Sequence, residues 1–129
     1  MAEHNRSAPC VLIVEDEVLV RMFAVDALED AGFLTVQAAS GAEALVALQS
    51  HELTAVIIDL GLPDRPGDEV AAEVRERHAD LPIIIASGRS ERELKDRFAA
   101  DPCIAILAKP YTEPMLLGAL QRLGVSNSR

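Results

Sequence analysis

Five short, largely apolar runs recur along the chain: CVLIV (Cys10–Val14), FLTVQA (Phe33–Ala38), TAVII (Thr54–Ile58), PIIIA (Pro82–Ala86) and CIAILA (Cys103–Ala108). Apolar runs of this length, with little polar alternation, suit strands buried on both faces. Between them the period changes. Val20, Phe23, Ala24, Ala27, Leu28 and Ala31 form a helical stripe that stops at Gly32, a residue suited to the C′ position. SGAE (Ser40–Glu43) is a capping box that opens a helix to about Ser50. A third helix is predicted from Asp68 to about His78, with Val70, Val74 and Arg77 on one side. A second capping box, SERE (Ser90–Glu93), opens a fourth helix to about Ala99. Thr112 reads as an N-cap with Pro114 in the first turn, and the last helix runs to Leu123 before Gly124.

Strands alternating with helices, all short and apolar, predict a parallel sheet covered on both faces and joined by right-handed crossovers. The expected divisions are a disordered polar tail at 1–9, one domain at 10–124 and a frayed end at 125–129. At 129 residues the chain has the size of one domain. Its net charge of −9 argues against a polyanionic partner such as DNA, so no nucleic-acid binding is expected. Cys10 and Cys103 each open an apolar run and are expected as buried free thiols. The N-terminus has no hydrophobic signal core and no run is long enough to span a bilayer, so no membrane association and a cytoplasmic location are expected.

Polar residues gather where the runs end. The first is followed by Glu15–Asp16, the third by Asp59, the fourth by Ser87 and the fifth by Lys109–Pro110. Each has an ordinary reading alone. Asp16 or Glu17 favours a helix N-terminus, Asp59 and Ser87 make turns, and Lys109 is a solvated strand end. In an open parallel sheet, however, the carboxyl ends of the strands share one edge, where ligands bind. Three carboxylates, a hydroxyl and an ammonium then face one cleft. Clustered acids repel one another, and a hard divalent cation relieves that. Asp16 and Asp59 can supply carboxylates to Mg²⁺ (or Mn²⁺), the backbone near Gly61 a carbonyl, and Glu15 can hold a metal-bound water. A cation and Lys109 together suit a phosphoryl group, with Ser87 as hydrogen-bond donor and Asp59 as nucleophile.

These residues resemble the receiver domain of two-component response regulators. The likeness runs from about Val11 to Leu123 and rests on VLIVEDE (Val11–Glu17), VIIDLGLPDRPG (Val56–Gly67), PIIIASG (Pro82–Gly88) and ILAKPY (Ile106–Tyr111), in that order. It implies a flavodoxin-like, three-layer (βα)5 α/β fold with strand order 2-1-3-4-5. It implies phosphoryl transfer to Asp59 from a phosphohistidine of a histidine kinase or phosphotransfer protein. It also implies Mg²⁺ at Glu15, Asp16, Asp59 and the Gly61 carbonyl, catalytic places for Ser87 and Lys109, and a cis Lys109–Pro110 bond. The phosphodonor helix would dock on the first helix (Val18, Met22) and the loop after Lys109. Output would be altered binding to a downstream protein that the sequence does not name, with no output domain attached.

One position departs from the family pattern. Many receivers carry Tyr or Phe three residues before the lysine, whereas here it is Ile106. A subtler change is expected on the face of the fourth helix, fifth strand and fifth helix. Arg89, two residues after Ser87, is expected to modulate water access. The competing reading is a pseudo-receiver, a binding module that works without phosphorylation. No enzymatic activity is expected beyond the chain's own phosphorylation and dephosphorylation. An aspartyl-phosphate phosphatase would want an acid where Gly61 stands, and a flavin-binding protein a hydroxyl-rich loop where EDE stands.

Overall fold

Five strands alternate with five helices: β1 (Cys10–Val14), α1 (Val18–Asp30), β2 (Leu34–Ala38), α2 (Gly41–Ser50), β3 (Ala55–Asp59), α3 (Gly67–Arg77), β4 (Ile83–Ser87), α4 (Glu91–Phe98), β5 (Ile104–Ala108) and α5 (Glu113–Arg122). The computed structural model describes residues 8–88 and 91–126, and the expectations for Arg89 and for Ser90 as a cap fall outside them. All strands are parallel, in the order β2-β1-β3-β4-β5, the flavodoxin-like arrangement expected.

The period of two along a strand divides the core between the two faces of the sheet. Val11, Ile13, Ile57, Ile84 and Leu107 face Ala24 and Leu28 of α1 and Leu116 and Leu120 of α5. Leu12, Val14, Val56, Ile58, Ile83 and Ile85 face α2, α3 and α4 through Leu48, Val70, Val74 and Leu94. Burial on both faces is why the strands read as continuous apolar runs.

Several expectations shift. Asp59 and Ser87 are the last residues of β3 and β4, not the first beyond them, because the ladder continues past the apolar side chains (Asp59 against Ala86, Ser87 against Ala108). Arg77 is exposed. Arg75 is the arginine tied inward, donating to Asp101 Oδ2 at 2.8 Å and to the Leu81 carbonyl at 2.7 Å. Phe23 is 42% exposed, and Val25 joins the core instead. Pro9 is not loose tail, since its carbonyl accepts from Leu34 N–H at 2.9 Å. Val125, placed in the frayed end, is buried. The reason is a Schellman turn: Gly124 has φ +83°, its N–H bonds the Gln121 carbonyl, and Val125 N–H bonds the Leu120 carbonyl. The same turn closes α1 at Gly32, φ +96°, with Phe33 buried behind it. Both cysteines are free and half-buried.

The N-terminus of α2 is capped twice. Ser40 Oγ accepts from Glu43 N–H as the predicted capping box requires, while Glu43 Oε1 reaches one residue past the cap and accepts from Ala39 N–H. Asp64, from the β3–α3 loop, takes the Gly41 N–H at 2.8 Å and the Ala42 N–H at 3.0 Å. Those two bonds hold the Asp64 carboxyl below its ordinary value. A depressed folded-state pKa gives stability that is present above the unfolded-state pKa and lost as pH falls through the folded one. The stability advantage of wild type over Asp64→Asn is therefore expected to be full at pH 6 and to shrink below about pH 4. Urea unfolding at several pH values measures it, and a constant difference down to acid pH would contradict the linkage.

Candidate functional site

The β3–β4 and β4–β5 registers bring the tips of β3, β4 and β5 side by side. Lys109 follows β5 directly, and its backbone N–H donates to the Ser87 carbonyl at 2.9 Å. β1 lies on the other side of β3 and ends at Val14, so Glu15 and Asp16 emerge beside Asp59. Glu15 stays in line because its N–H bonds the Ala38 carbonyl. The result is an open cleft of about 330 Å³, lined by Asp16, Glu17, Asp59, Leu60, Gly61, Ser87, Gly88 and Lys109. Every sequence-predicted site residue lines this cleft except Glu15, which is buried and joined to it through Lys109.

Charge is concentrated here. Lys109 Nζ donates to Asp59 Oδ1 at 3.1 Å and to Glu15 Oε1 at 3.3 Å, and lies 3.9 Å from Glu17 Oε1. Glu15, Asp59 and Ser87 are the buried polar residues among those described. Burial pushes the Glu15 carboxyl up, and the Glu17 N–H and Lys109 pull back only partly. Burial draws Lys109 down, but its bonds to Asp59 and the charges of Asp59 and Glu15 outweigh that and hold it above its usual value. Carboxylate oxygens of Glu15, Asp16 and Asp59 all lie within 4.8 Å of one another. Three hard oxygen donors at that spacing fit Mg²⁺ or Mn²⁺ better than a soft metal. The Lys109–Pro110 bond is cis.

A profile of the response regulator receiver domain matches residues 11–121. The chain belongs to that family. Among curated relatives of this receiver domain, Sensor kinase CckA of Brucella abortus (strain 2308) is 34% identical over 115 residues, 88% of this chain and 12% of CckA. Transcriptional regulatory protein PdtaR of Mycobacterium tuberculosis (strain ATCC 25618 / H37Rv) is 34% identical over 120 residues, 92% of this chain and 58% of PdtaR. The chain thus spans only part of the length of these relatives. Chemotaxis protein CheY4 of Vibrio cholerae superposes with a TM-score of 0.84 at 30% identity, covering 91% of this chain and 99% of that one. TrrA of Thermotoga maritima, solved in complex with Mg(2+)-BeF, gives 0.79 at 27% identity, covering 89% and 98%. Receiver domains of two-component signalling bind Mg²⁺ at an acidic site, and the acidic cluster of this receiver is Glu15, Asp16 and Asp59. Among the described residues no helix is long and apolar enough to cross a membrane.

Three features of the receiver's site went unread in the sequence. Arg21 donates to the Glu15 carbonyl at 2.7 Å and to Gln37 Oε1 at 3.0 Å, steadying the β1–α1 loop. Its place four residues after Glu17, one turn along α1 and back over that loop, was the available signal. Tyr111 is buried against Phe23, ring centroids 5.9 Å apart. Burial, then the charge of Glu15, pushes its phenol up to about 12. Asp64 reaches α2 from 23 positions away in sequence, which no local pattern signals. Ile106 is buried beside a larger groove of about 630 Å³ between α4, β5 and α5. That groove contains none of the clustered carboxylates, so volume alone does not mark the site.

Lys109→Ala leaves Glu15 and Asp59 buried together without their counter-charge. Removing one partner of a buried ion pair costs several kcal/mol in a dry interior. This cleft is open on one side, so a loss of about 2 kcal/mol is expected in metal-free buffer. Added Mg²⁺ is expected to restore more stability to the variant than to wild type, and equal increments by thermal unfolding would count against the charge argument.

Proposed function

We propose that this receiver accepts a phosphoryl group on Asp59 from a phosphohistidine of a histidine kinase or phosphotransfer protein, and signals by altered binding to another protein. The observation that carries this reading is the meeting of Lys109 Nζ with Asp59 Oδ1 at 3.1 Å, in a cleft where three carboxylates converge. Asp16, Asp59 and the Gly61 carbonyl would hold Mg²⁺ or Mn²⁺, with Glu15 behind them. The Mg(2+)-BeF complex of the related TrrA favours that cation. When bound, it supplies positive charge against the phosphoryl oxygens.

A carboxylate oxygen of Asp59 attacks phosphorus in line with the P–N bond. The P–O bond forms as P–N breaks, and the imidazole nitrogen leaves with the electron pair. Lys109, already at the Asp59 carboxylate, offers its ammonium protons to the incoming oxygens, and Ser87 on the neighbouring strand tip offers a hydroxyl. Little covalent work is asked of the protein beyond alignment and charge neutralisation. Hydrolysis of the acyl phosphate returns Asp59, and this self-directed chemistry is the whole of the chain's catalysis. The setting is the cytoplasm.

The donor's helix docks on α1, where Val18, Leu19 and Met22 are exposed. Beside them an apolar groove of about 420 Å³ leads from Leu19 and Phe23 through Pro110 and Tyr111 to Lys109.

Intact mass after incubation with a small-molecule phosphodonor tests the proposal. One phosphoryl group is expected with Mg²⁺, none with chelator, and removal by hydroxylamine as an acyl phosphate requires. No gain from either a small donor or a histidine kinase, with Mg²⁺ bound, would favour a binding module independent of phosphorylation.

A further inference from the structure

The loop between β3 and α3, residues 60–66, carries Gly61 and is held from both sides. At its base, Leu60 N–H bonds the Ala86 carbonyl at 3.2 Å and Gly67 N–H bonds the Leu60 carbonyl at 3.0 Å. Leu62 is buried in the core shared with α2 and α3. Farther out, both carboxylate oxygens of Asp64 bind the first two N–H groups of α2, those of Gly41 and Ala42. The next residue repeats the link. The Arg65 stem lies across Gly41 so closely that a Cβ there would be 2.8 Å from Arg65 Cγ, and Arg65 Nη1 donates to Glu73 Oε1 of α3 at 2.9 Å.

We propose that Asp64 is a positioning residue for the metal site, pinning the loop, and with it the Gly61 carbonyl, to the N-terminus of α2. The proposal rests on the metal reading given above. Gly61 itself is exposed, in a loop attached through Leu60, Leu62, Asp64, Arg65 and Gly67. A loop already ordered before the cation arrives spares the binding step the cost of ordering it. Ser40 and Glu43 satisfy the Glu43 and Ala39 N–H groups and leave those of Gly41 and Ala42 to Asp64, so the same two bonds that complete the cap of α2 also fix the loop to it. Asp64 touches neither Asp59 nor Lys109 among the described hydrogen bonds, and it acts only through the backbone between them.

Ser40 provides the control. Ser40→Ala removes a cap from the same helix end without freeing the loop. Mg²⁺ affinity by isothermal titration is compared for wild type, Asp64→Ala, Asp64→Asn and Ser40→Ala, with Asp59→Asn as the site control. Outer partners of metal sites commonly set affinity by about 10–100-fold, so Asp64→Ala is expected to weaken Mg²⁺ about tenfold. Asp64→Asn, which keeps one carbonyl acceptor, is expected to fall between it and wild type. Ser40→Ala is expected to bind as wild type does. In metal-free protein, amide exchange at Leu60 and Gly67 should quicken in Asp64→Ala only. Wild-type affinity in Asp64→Ala, or an equal loss in Ser40→Ala, overturns the inference while leaving the metal reading intact. A wild type that takes up no Mg²⁺ at Asp59 overturns both.

Discussion

Asp59→Asn is expected to take up no phosphoryl group under conditions expected to load the wild type. The amide keeps the shape of the carboxylate and an oxygen that can still accept from Lys109, now 3.1 Å from Oδ1. It loses the nucleophile, because the amide lone pair is delocalised and carries no charge. Neither neighbouring acid is placed to substitute. Glu15 is buried at 4% exposure, held by the Glu17 N–H at 3.1 Å and by Lys109 at 3.3 Å. Asp16 is more open, but among the described residues the Lys109 ammonium bonds Asp59 and Glu15, not Asp16. Stability is expected to change by less than about 1 kcal/mol, since the weakened bond to Lys109 is offset by relief of the Glu15–Asp59 repulsion. Intact mass and thermal unfolding on the same sample separate the two effects. A variant that still gains one phosphoryl group would move the acceptor to another residue.

Gly67→Ala is expected to destabilise the fold by about 3 kcal/mol, at the upper end for overpacking. A Cβ at Gly67 would stand 2.4 Å from the Asp59 carbonyl oxygen and 2.7 Å from Leu60 Cα. Both are backbone atoms, so no side-chain rotation relieves the contact. Either α3 must back away from the sheet or the tip of β3 must move, and that tip carries Asp59. The helix propensity gained on replacing Gly, at most about 1 kcal/mol, does not offset this. The melting temperature should fall by roughly 10 °C. Gly88→Ala is the stability comparison, since a Cβ there meets nothing within 4 Å. Equal melting temperatures for the two variants would refute the packing argument.

The elements were legible because their signals are local. Buried strands announce themselves as apolar runs, Ser40 and Glu43 as a capping box, and Gly32 as the end of a helix. The site was legible because a parallel sheet brings all strand ends to one edge, so that Glu15, Asp16, Asp59, Ser87 and Lys109 could be placed together before any distance was known. What escaped was contact between elements. Arg75 on Asp101, Asp64 on α2 and Phe23 on Tyr111 join residues 26, 23 and 88 positions apart, and periodicity says nothing about such pairs. Phe23 misled for the same reason. Its helical spacing matched the core stripe, yet α1 turns it toward the loop after Lys109. The strand limits slipped by one residue at Asp59 and Ser87 because hydrophobicity marks where side chains are dry, not where backbone pairing stops.

Tyr111 is the chain's one tyrosine, and there is no tryptophan. All useful intrinsic ultraviolet emission of this protein therefore comes from a ring two residues past Lys109, lodged against Phe23 and within the electrostatic reach of Glu15, Lys109 and Asp59. With its phenol pushed up to about 12, that ring stays protonated through the neutral range, and its signal is not confused by titration. Cation binding or phosphoryl transfer at the cleft is therefore expected to register in the emission of Tyr111, without a dye or an added label.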